Sequence, residues 1–344
     1  MVLSPRSETV WRMSSAPKVS VVIPNHNGVT RRDGLTYLEM VLPALREQSF
    51  RDFDVTVVDD GSTDGSLQYL EEHWPEVRIV ALAGNSGFPK TVNTGIEATD
   101  GEQIALLNND IELSPDWLER LVGELDRDPG LGFVTGKIVR YRKRTVIEQV
   151  GQDLYTCGLF APRGIDADDV GQYEEPRRIA IATAAASIYR REAVARAGGF
   201  DEDYFLYCED ADLCLRMLLQ GYQGLYVPGP VAYHVRGGTT GQESDRTRFY
   251  LLRNTPITLL KDFPGPILWR SLLKIAAYQA HQWRVARKGG FTRTLLRAYA
   301  SFLRAIPSTL RKRRRVQRRR TLTDPALGSL LLPGYPFPSR LPGC

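Results

Sequence analysis

Four short apolar runs in the first 115 residues, each closing on a cluster of Asn, Asp or Gly and each leading toward a helical pattern, leave this chain few architectures. Lys18–Pro24 (KVSVVIP) ends in Asn25, His26, Asn27 and Gly28, and residues 53–58 end in Asp59, Asp60 and Gly61. Val77–Leu82 precedes Gly84, Asn85, Ser86 and Gly87, and Ile104–Leu107 delivers Asn108, Asn109 and Asp110. Short β-branched runs stopped by turn residues read as buried parallel strands. The stretches between them place Leu38, Val41, Leu42 and Leu45, and later Trp117, Leu118, Leu121 and Leu125, at helical spacing. Pro43 is expected to kink the first of these helices or mark its start, Asp64 to cap the second, and Pro115 to open the fourth. Strand, turn and helix repeated in this way predict an α/β fold with a mostly parallel central sheet flanked by helices. Ligands of such sheets bind beyond the carboxyl ends of the strands, where these four polar turns converge.

Charge narrows the partners. The formal charge of +5 arises from residues 311–320, RKRRRVQRRR, which hold eight basic side chains and no acid, so the rest of the chain sums to −3. A basic surface that reads nucleic acid is therefore not expected on the main body. The run fits anionic lipid head groups or the phosphates of a lipid-linked substrate, or else a solvated disordered tail. Cys157, Cys208, Cys214 and Cys344 show no metal spacing and fit a reducing compartment. Residues 1–17 lack a signal-peptide core, and the most apolar segment, Pro266–Trp283, is interrupted by Arg270, Lys274, Gln279, His281 and Gln282. A cytoplasmic protein with at most peripheral membrane contact is expected. Residues 133–178 read as weakly patterned, with GIDADDVGQYEEPRR as a loop over the site; residues 321–344 read as unstructured.

The ordered set VVIPNHN, VVDDGSTDGS, NSGFPKTVNTG, LLNNDIEL, GGFDEDYFLYCEDADLCLR and YVPGPVAYH resembles the inverting family 2 glycosyltransferases of the GT-A nucleotide-diphosphosugar fold, most closely their rhamnosyltransferase-like branch. The resemblance runs from about Val19 to Gly238. It implies a GT-A domain over 18–245 (nucleotide-sugar half 18–115, acceptor half 116–245); outside it the residues read as a disordered extension over 1–17, a helical extension over 246–310 suited to a membrane interface, and a basic disordered tail over 311–344. The helical part equally suits a helix packed on the catalytic domain.

Such an enzyme moves a sugar from a nucleotide-diphosphate donor to a hydroxyl of a glycan or lipid-linked acceptor in surface-polysaccharide synthesis. The resemblance makes Asp110 and His234 ligands of a divalent metal, Mn2+ or Mg2+; the plain alternative for His234 is a hydrogen-bonded histidine at a strand end. Asn108 stands where a full acidic metal motif has Asp, which removes a charge from that motif and leaves room for a catalytically weak, membrane-docked scaffold that only binds nucleotide sugar. Pro24, Asn25, Asn27, Asp59, Asp60, Asn85, Gly87, Asn93, Asn108, Asn109 and Arg236 are implied around the nucleotide sugar, though Asp60 with Gly61 can equally be a structural turn and Arg236 a surface residue. An alcohol is a poor nucleophile at neutral pH, so displacement needs a carboxylate base. Asp210 is implied as that base and Glu209 as its neighbour in the acceptor site. A helix N-terminus also favours paired acids and would hold both ionised. Asp212 reads as structural, and Tyr204, Phe205 and Tyr207 as either sugar-stacking or core residues.

Overall fold

The computed structural model describes residues 17–31, 34–235 and 244–333. The strands are β1 (Val19–Asn25), β2 (Phe53–Asp59), β3 (Arg78–Ala81), β4 (Gln103–Leu107), β5 (Ile111–Leu113), β6 (Leu131–Arg140), β7 (Lys143–Gln149), β8 (Gln152–Tyr155), β9 (Phe160–Pro162), β10 (Arg177–Ile179), β11 (Ala186–Arg190), β12 (Gln223–His234) and β13 (Leu331–Leu332). The helices are α1 (Leu38–Arg46), α2 (Ser66–His73), α3 (Phe88–Glu97), α4 (Trp117–Arg127), α5 (Arg191–Ala197), α6 (Glu209–Leu219), α7 (Asp245–Asp262), α8 (Gly265–Lys288), α9 (Thr292–Arg319) and α10 (Asp324–Gly328).

The main sheet runs β10-β12-β6-β11-β4-β1-β2-β3, with β5 paired to β12 and β7 to β6. Its β4-β1-β2-β3 half is parallel, whereas β11 pairs antiparallel with β4 on one side and β6 on the other. The central strands are buried on both faces, which is why β1, β2 and β4 read as nearly unbroken apolar runs. One face is covered by Leu38, Val41 and Leu45 of α1 and by Trp117, Leu121 and Leu125 of α4. Val92 of α3 and Leu213, Met217 and Leu218 of α6 cover the other. Helix α1 runs through Pro43 rather than beginning there, and α2 begins after Gly65. The predicted cap Asp64 accepts the Ser66 amide at 3.1 Å and reaches across to the amides of Val29 and Thr30 at 3.0 and 2.6 Å.

Two segments differ from expectation. The weakly patterned stretch 133–178 holds most of β6 and all of β7 to β9. Its charged patch, expected as a loop, is irregular from 164 to 176 before entering β10, and Lys137 binds Asp169 and Glu174 of it at 2.8 and 2.7 Å, drawing it against the sheet. The basic run expected to be disordered is helical to Arg319. A block of like charge orders here because acids face it: Lys312 meets Asp201 and Asp203 at 2.5 and 2.6 Å, and Arg313 donates to the carbonyls of Leu260 and Phe263 at 2.7 and 2.6 Å. Beyond it, Thr321 and Leu322 donate to the Leu219 carbonyl, and β13 pairs with β8. Residues 1–16 and 334–344, including Cys344, lie outside the described residues. Cys157, Cys208 and Cys214 are buried free thiols. No helix among the described residues is long and apolar enough to cross a membrane.

Candidate active site

The ends of β1, β2 and β4 are laced together by side chains. Asn109 donates to Asn25 Oδ1 and Asn25 to Asp59 Oδ1, each at 2.9 Å, while the other Asp59 oxygen accepts the Ser62 amide at 2.9 Å. These three residues are buried and set the spacing of the strand ends. Asp60 accepts the amides of Ser86 and Gly87 at 2.6 and 3.2 Å, tying the turn after β2 to the turn after β3. Asn27 takes a left-handed conformation (φ 56°), open to Asn because its short side chain bonds locally; its Oδ1 accepts the Thr63 amide at 2.8 Å. Asn85 is exposed, and Pro24, Asn27 and Asn108 are half-buried along the same edge.

Gly87 and Asn93, implied beside the nucleotide, also make contacts within the chain. A Cβ at Gly87 would sit 2.7 Å from the Phe205 ring and carbonyl. Asn93 brackets Phe200, donating to its carbonyl and accepting from its amide, both at 2.9 Å. Both therefore join α3 to the 199–205 segment. Arg236 lies outside the described residues.

The pairing of β12 with β5 sets His234 opposite Ile111, which carries the imidazole to Asp110. His234 Nε2 lies 3.2 Å from Asp110 Oδ1, and its Nδ1 lies 2.9 and 3.1 Å from the two oxygens of Glu148. The Asn108 amide is 3.5 Å from Nε2. Burial opposes a charge on His234, but the carboxylates of Glu148 and Asp110 outweigh it and push the imidazole well above its ordinary value. Glu148 went unnoticed in the sequence; its only signal is an acid inside the apolar end of β7, where it is buried.

This donor set fits a hard divalent cation. With Nδ1 held by Glu148, Nε2 faces Asp110 and is the nitrogen that a cation would take in place of its proton, the arrangement by which a second carboxylate orients a ligating histidine. Two protein donors leave positions for water and phosphate oxygens, as Mg2+-like ions prefer. Among the described residues no group of three or more His, Cys, Asp or Glu is arranged to hold a metal by itself.

Asp210 opens α6 and is half-buried, whereas Glu209 is buried with Oε2 lacking a hydrogen-bond partner. Burial raises both carboxyls, Glu209 well above its usual range with Asp210 adding to the shift. Here burial outweighs the helix dipole that was expected to keep both ionised. Asp210 retains donors that favour its charge: the amides of Ala211, at 2.7 Å, and Ala184, and the Thr183 hydroxyl. The 183–185 segment also accepts the Asn108 amide through the Ala185 carbonyl at 2.8 Å. Asp210 and the Asn108–Asp110 turn are thus anchored to the same three-residue segment. Asp212 is structural, as expected: it is fully buried and bound by Arg216 at 2.6 Å.

Residues 20–198, just over half of the chain, match Glycosyl transferase family 2. The chain belongs to this family and is a glycosyltransferase. Its relatives include the N-acetylglucosaminyl-diphospho-decaprenol L-rhamnosyltransferase of Mycobacterium tuberculosis, 28% identical over 60% of this chain and 74% of that one. The O-antigen biosynthesis protein RfbC of Myxococcus xanthus is 31% identical over 61% of this chain but 17% of its own length. An uncharacterized Sinorhizobium fredii protein is matched over 27% of its length, so the chain spans about a quarter of that relative. Among solved structures, the mannosyltransferase PcManGT of Pyrobaculum calidifontis superposes with a TM-score of 0.52 at 18% identity, covering 92% of this chain and 79% of that one. The fold is that of the GT-A glycosyltransferases.

Proposed function

We propose that the chain moves a sugar, rhamnose in the first instance, from a nucleotide-diphosphate donor to a hydroxyl of a glycan or lipid-linked acceptor, with inversion, in cell-surface polysaccharide synthesis. The observation that carries this reading is Asp210, held by the 183–185 segment that also fixes the Asn108–Asp110 turn. The Asp210 carboxylate takes the proton of the acceptor hydroxyl as that oxygen bonds to the anomeric carbon. The bond from that carbon to the phosphate oxygen breaks, and the nucleoside diphosphate leaves with the electron pair. Asp110 and His234 would hold Mn2+ or Mg2+, which when bound neutralises charge on the leaving diphosphate. Burial and Asp210 raise Glu209 well above its usual range, which leaves Asp210 the more readily ionised of the two. The rhamnosyltransferase and O-antigen relatives support the substrate class. Screening nucleotide sugars for turnover, starting with dTDP-rhamnose, tests it. Wild-type transfer by Asp210→Asn would refute the mechanism; donor binding without turnover across the panel would favour the scaffold.

The acceptor side extends to an anionic membrane on the cytoplasmic face. Between Asp262 and Asp324 the chain has sixteen Lys and Arg and no acid. Trp269 and Leu273 on α8 are 78% and 86% exposed, beside exposed Leu272 and Arg270. Apolar side chains with basic neighbours and no acid suit the head-group region. This contact face is α8 with α9, rather than the tail alone, since Lys312 and Arg313 are engaged within the fold. Trp269→Ser with Leu273→Ser is expected to reduce sedimentation with phosphatidylglycerol-containing vesicles; unchanged binding removes the reading.

A further inference from the structure

The five residues before Glu209 follow an unusual path. Phe205, Tyr207 and Cys208 all have positive φ, at 63°, 65° and 72°. Bulky side chains rarely adopt this conformation, and it persists only where the surroundings hold it. Cys208 is also the residue from which α6 starts, so the path of this loop sets where Glu209 and Asp210 begin.

The backbone carbonyls of the loop show what holds it. Phe205 O accepts the Phe88 amide, and Cys208 O accepts the Asp212 amide, both at 2.9 Å. Those of Tyr204, Leu206 and Tyr207 converge on one side chain: the Asn254 amide nitrogen of α7 lies 3.0, 2.8 and 2.8 Å from them. Asn254 is fully buried. Its amide orientation follows from the opposite end, where Oδ1 accepts from Arg253 Nη1 at 2.6 Å; a flipped amide would set oxygen against three carbonyls. Thr258 and Tyr250 add a hydroxyl contact to Tyr204 at 2.9 Å and a stacked ring on Phe205 at 5.3 Å. Helix α7 lies beyond the segment matched to the family.

From this geometry we infer that Asn254 is a positioning residue for the transfer reaction: its amide holds loop 204–208 in the strained path that sets Asp210 against the acceptor hydroxyl. The inference rests on the reading of Asp210 as base. An isolated backbone of this shape would relax, and Asp210 would move with the first turn of α6. A displacement of about 1 Å at a reacting group costs about a hundredfold in rate.

The test uses the full chain with Asn254→Ala, Asn254→Asp and Asn254→Ser beside Asp210→Asn. Transfer and donor KM are measured with dTDP-rhamnose, or with the nucleotide sugar that the screen selects; melting temperature and amide hydrogen exchange are followed in the same samples. Asn254→Ala and Asn254→Asp are expected to lower kcat about 10- to 100-fold, with donor KM changed less than about twofold. Asn254→Ser, which keeps one donor, recovers part of the loss. Exchange over 204–212 accelerates while 19–110 stays protected. Wild-type kcat in Asn254→Ala overturns the inference, as does a parallel fall in kcat, donor affinity and melting temperature with exchange rising throughout. If Asp210→Asn keeps full transfer, the base assignment has failed, and the positioning role with it. If Asp210→Asn is inactive while Asn254→Ala is not impaired, the positioning role alone has failed.

Discussion

Replacing Lys261 by Met removes the central cation of a buried cluster while keeping most of its length. Lys261 is 1% exposed, contacts Asp212, and lies 2.5 Å from Asp201 Oδ2. Arg216 and Lys312 complete the set, joining α6 and the 199–203 turn to α7 and α9. Burial alone would raise Asp201 and Asp212; Lys261, with Lys312 on the first and Arg216 on the second, outweighs it and holds both below the usual carboxylate range. Lys261 is itself raised, burial being overcome by Asp212 and Asp262. Asp262 is itself raised, by burial and by its neighbour Asp212. Breaking a buried pair by deleting one partner costs about 3–5 kcal/mol. Because Arg216 and Lys312 remain, the lower figure, about 3 kcal/mol at pH 7, is expected. The depressed carboxylates contribute fully above their unfolded pKa, near 4, and lose that contribution as pH falls through the folded value, so the penalty shrinks under acid. Lys261 behaves oppositely, its contribution disappearing only as pH rises past its own raised pKa. Denaturant unfolding followed by circular dichroism at pH 7 and pH 3 measures both. A Lys261→Met protein within about 1 kcal/mol of wild type at pH 7, or a penalty that grows on acidification, would refute the argument.

Glu148→Gln should weaken Mn2+ binding about 10- to 100-fold, as loss of an orienting carboxylate does, with folding intact; metal titration followed by electron paramagnetic resonance checks it. With Asp210 as the proposed base and its carboxyl raised by burial, kcat should fall on acidification from a pH above the ordinary carboxylate value near 4, with a slope of about one decade per pH unit. An acidic limb centred at or below pH 4 would contradict the burial described for that carboxyl.

Much of the parallel half was legible because its information is local. A β-branched run buried on both faces announces itself, and Asn108–Asp110 follow directly from the end of β4. The partnership of Asp110 with His234 came through resemblance and is now a 3.2 Å contact. Glu148 stayed hidden because it meets the histidine from 86 positions away, and no local pattern marks an acid that turns inward from β7. The antiparallel strands between 131 and 190 were missed because their own alternation is weak and β10 and β11 pair with strands far along the chain. The helical basic run was missed because its compensating acids, Asp201 and Asp203, lie on the opposite side of the fold's sequence. Asn93 and Gly87, read as residues that meet the nucleotide, also meet the chain itself, at Phe200 and Phe205.

Gly87 has a further meaning for kinetics. It sits where the turn bound by Asp60 touches Phe205, so the turn after β3 and the loop that leads to Asp210 share one seam without room for a methyl group. The adjacent Phe88 amide is bonded to the Phe205 carbonyl across the same seam. Under the proposed assignment of donor to the strand ends and acceptor to Asp210, two substrates that meet at such a seam are expected to bind interdependently. Filling the first would alter the entropy left to be lost on filling the second, and a donor affinity that changes when acceptor is present would show it.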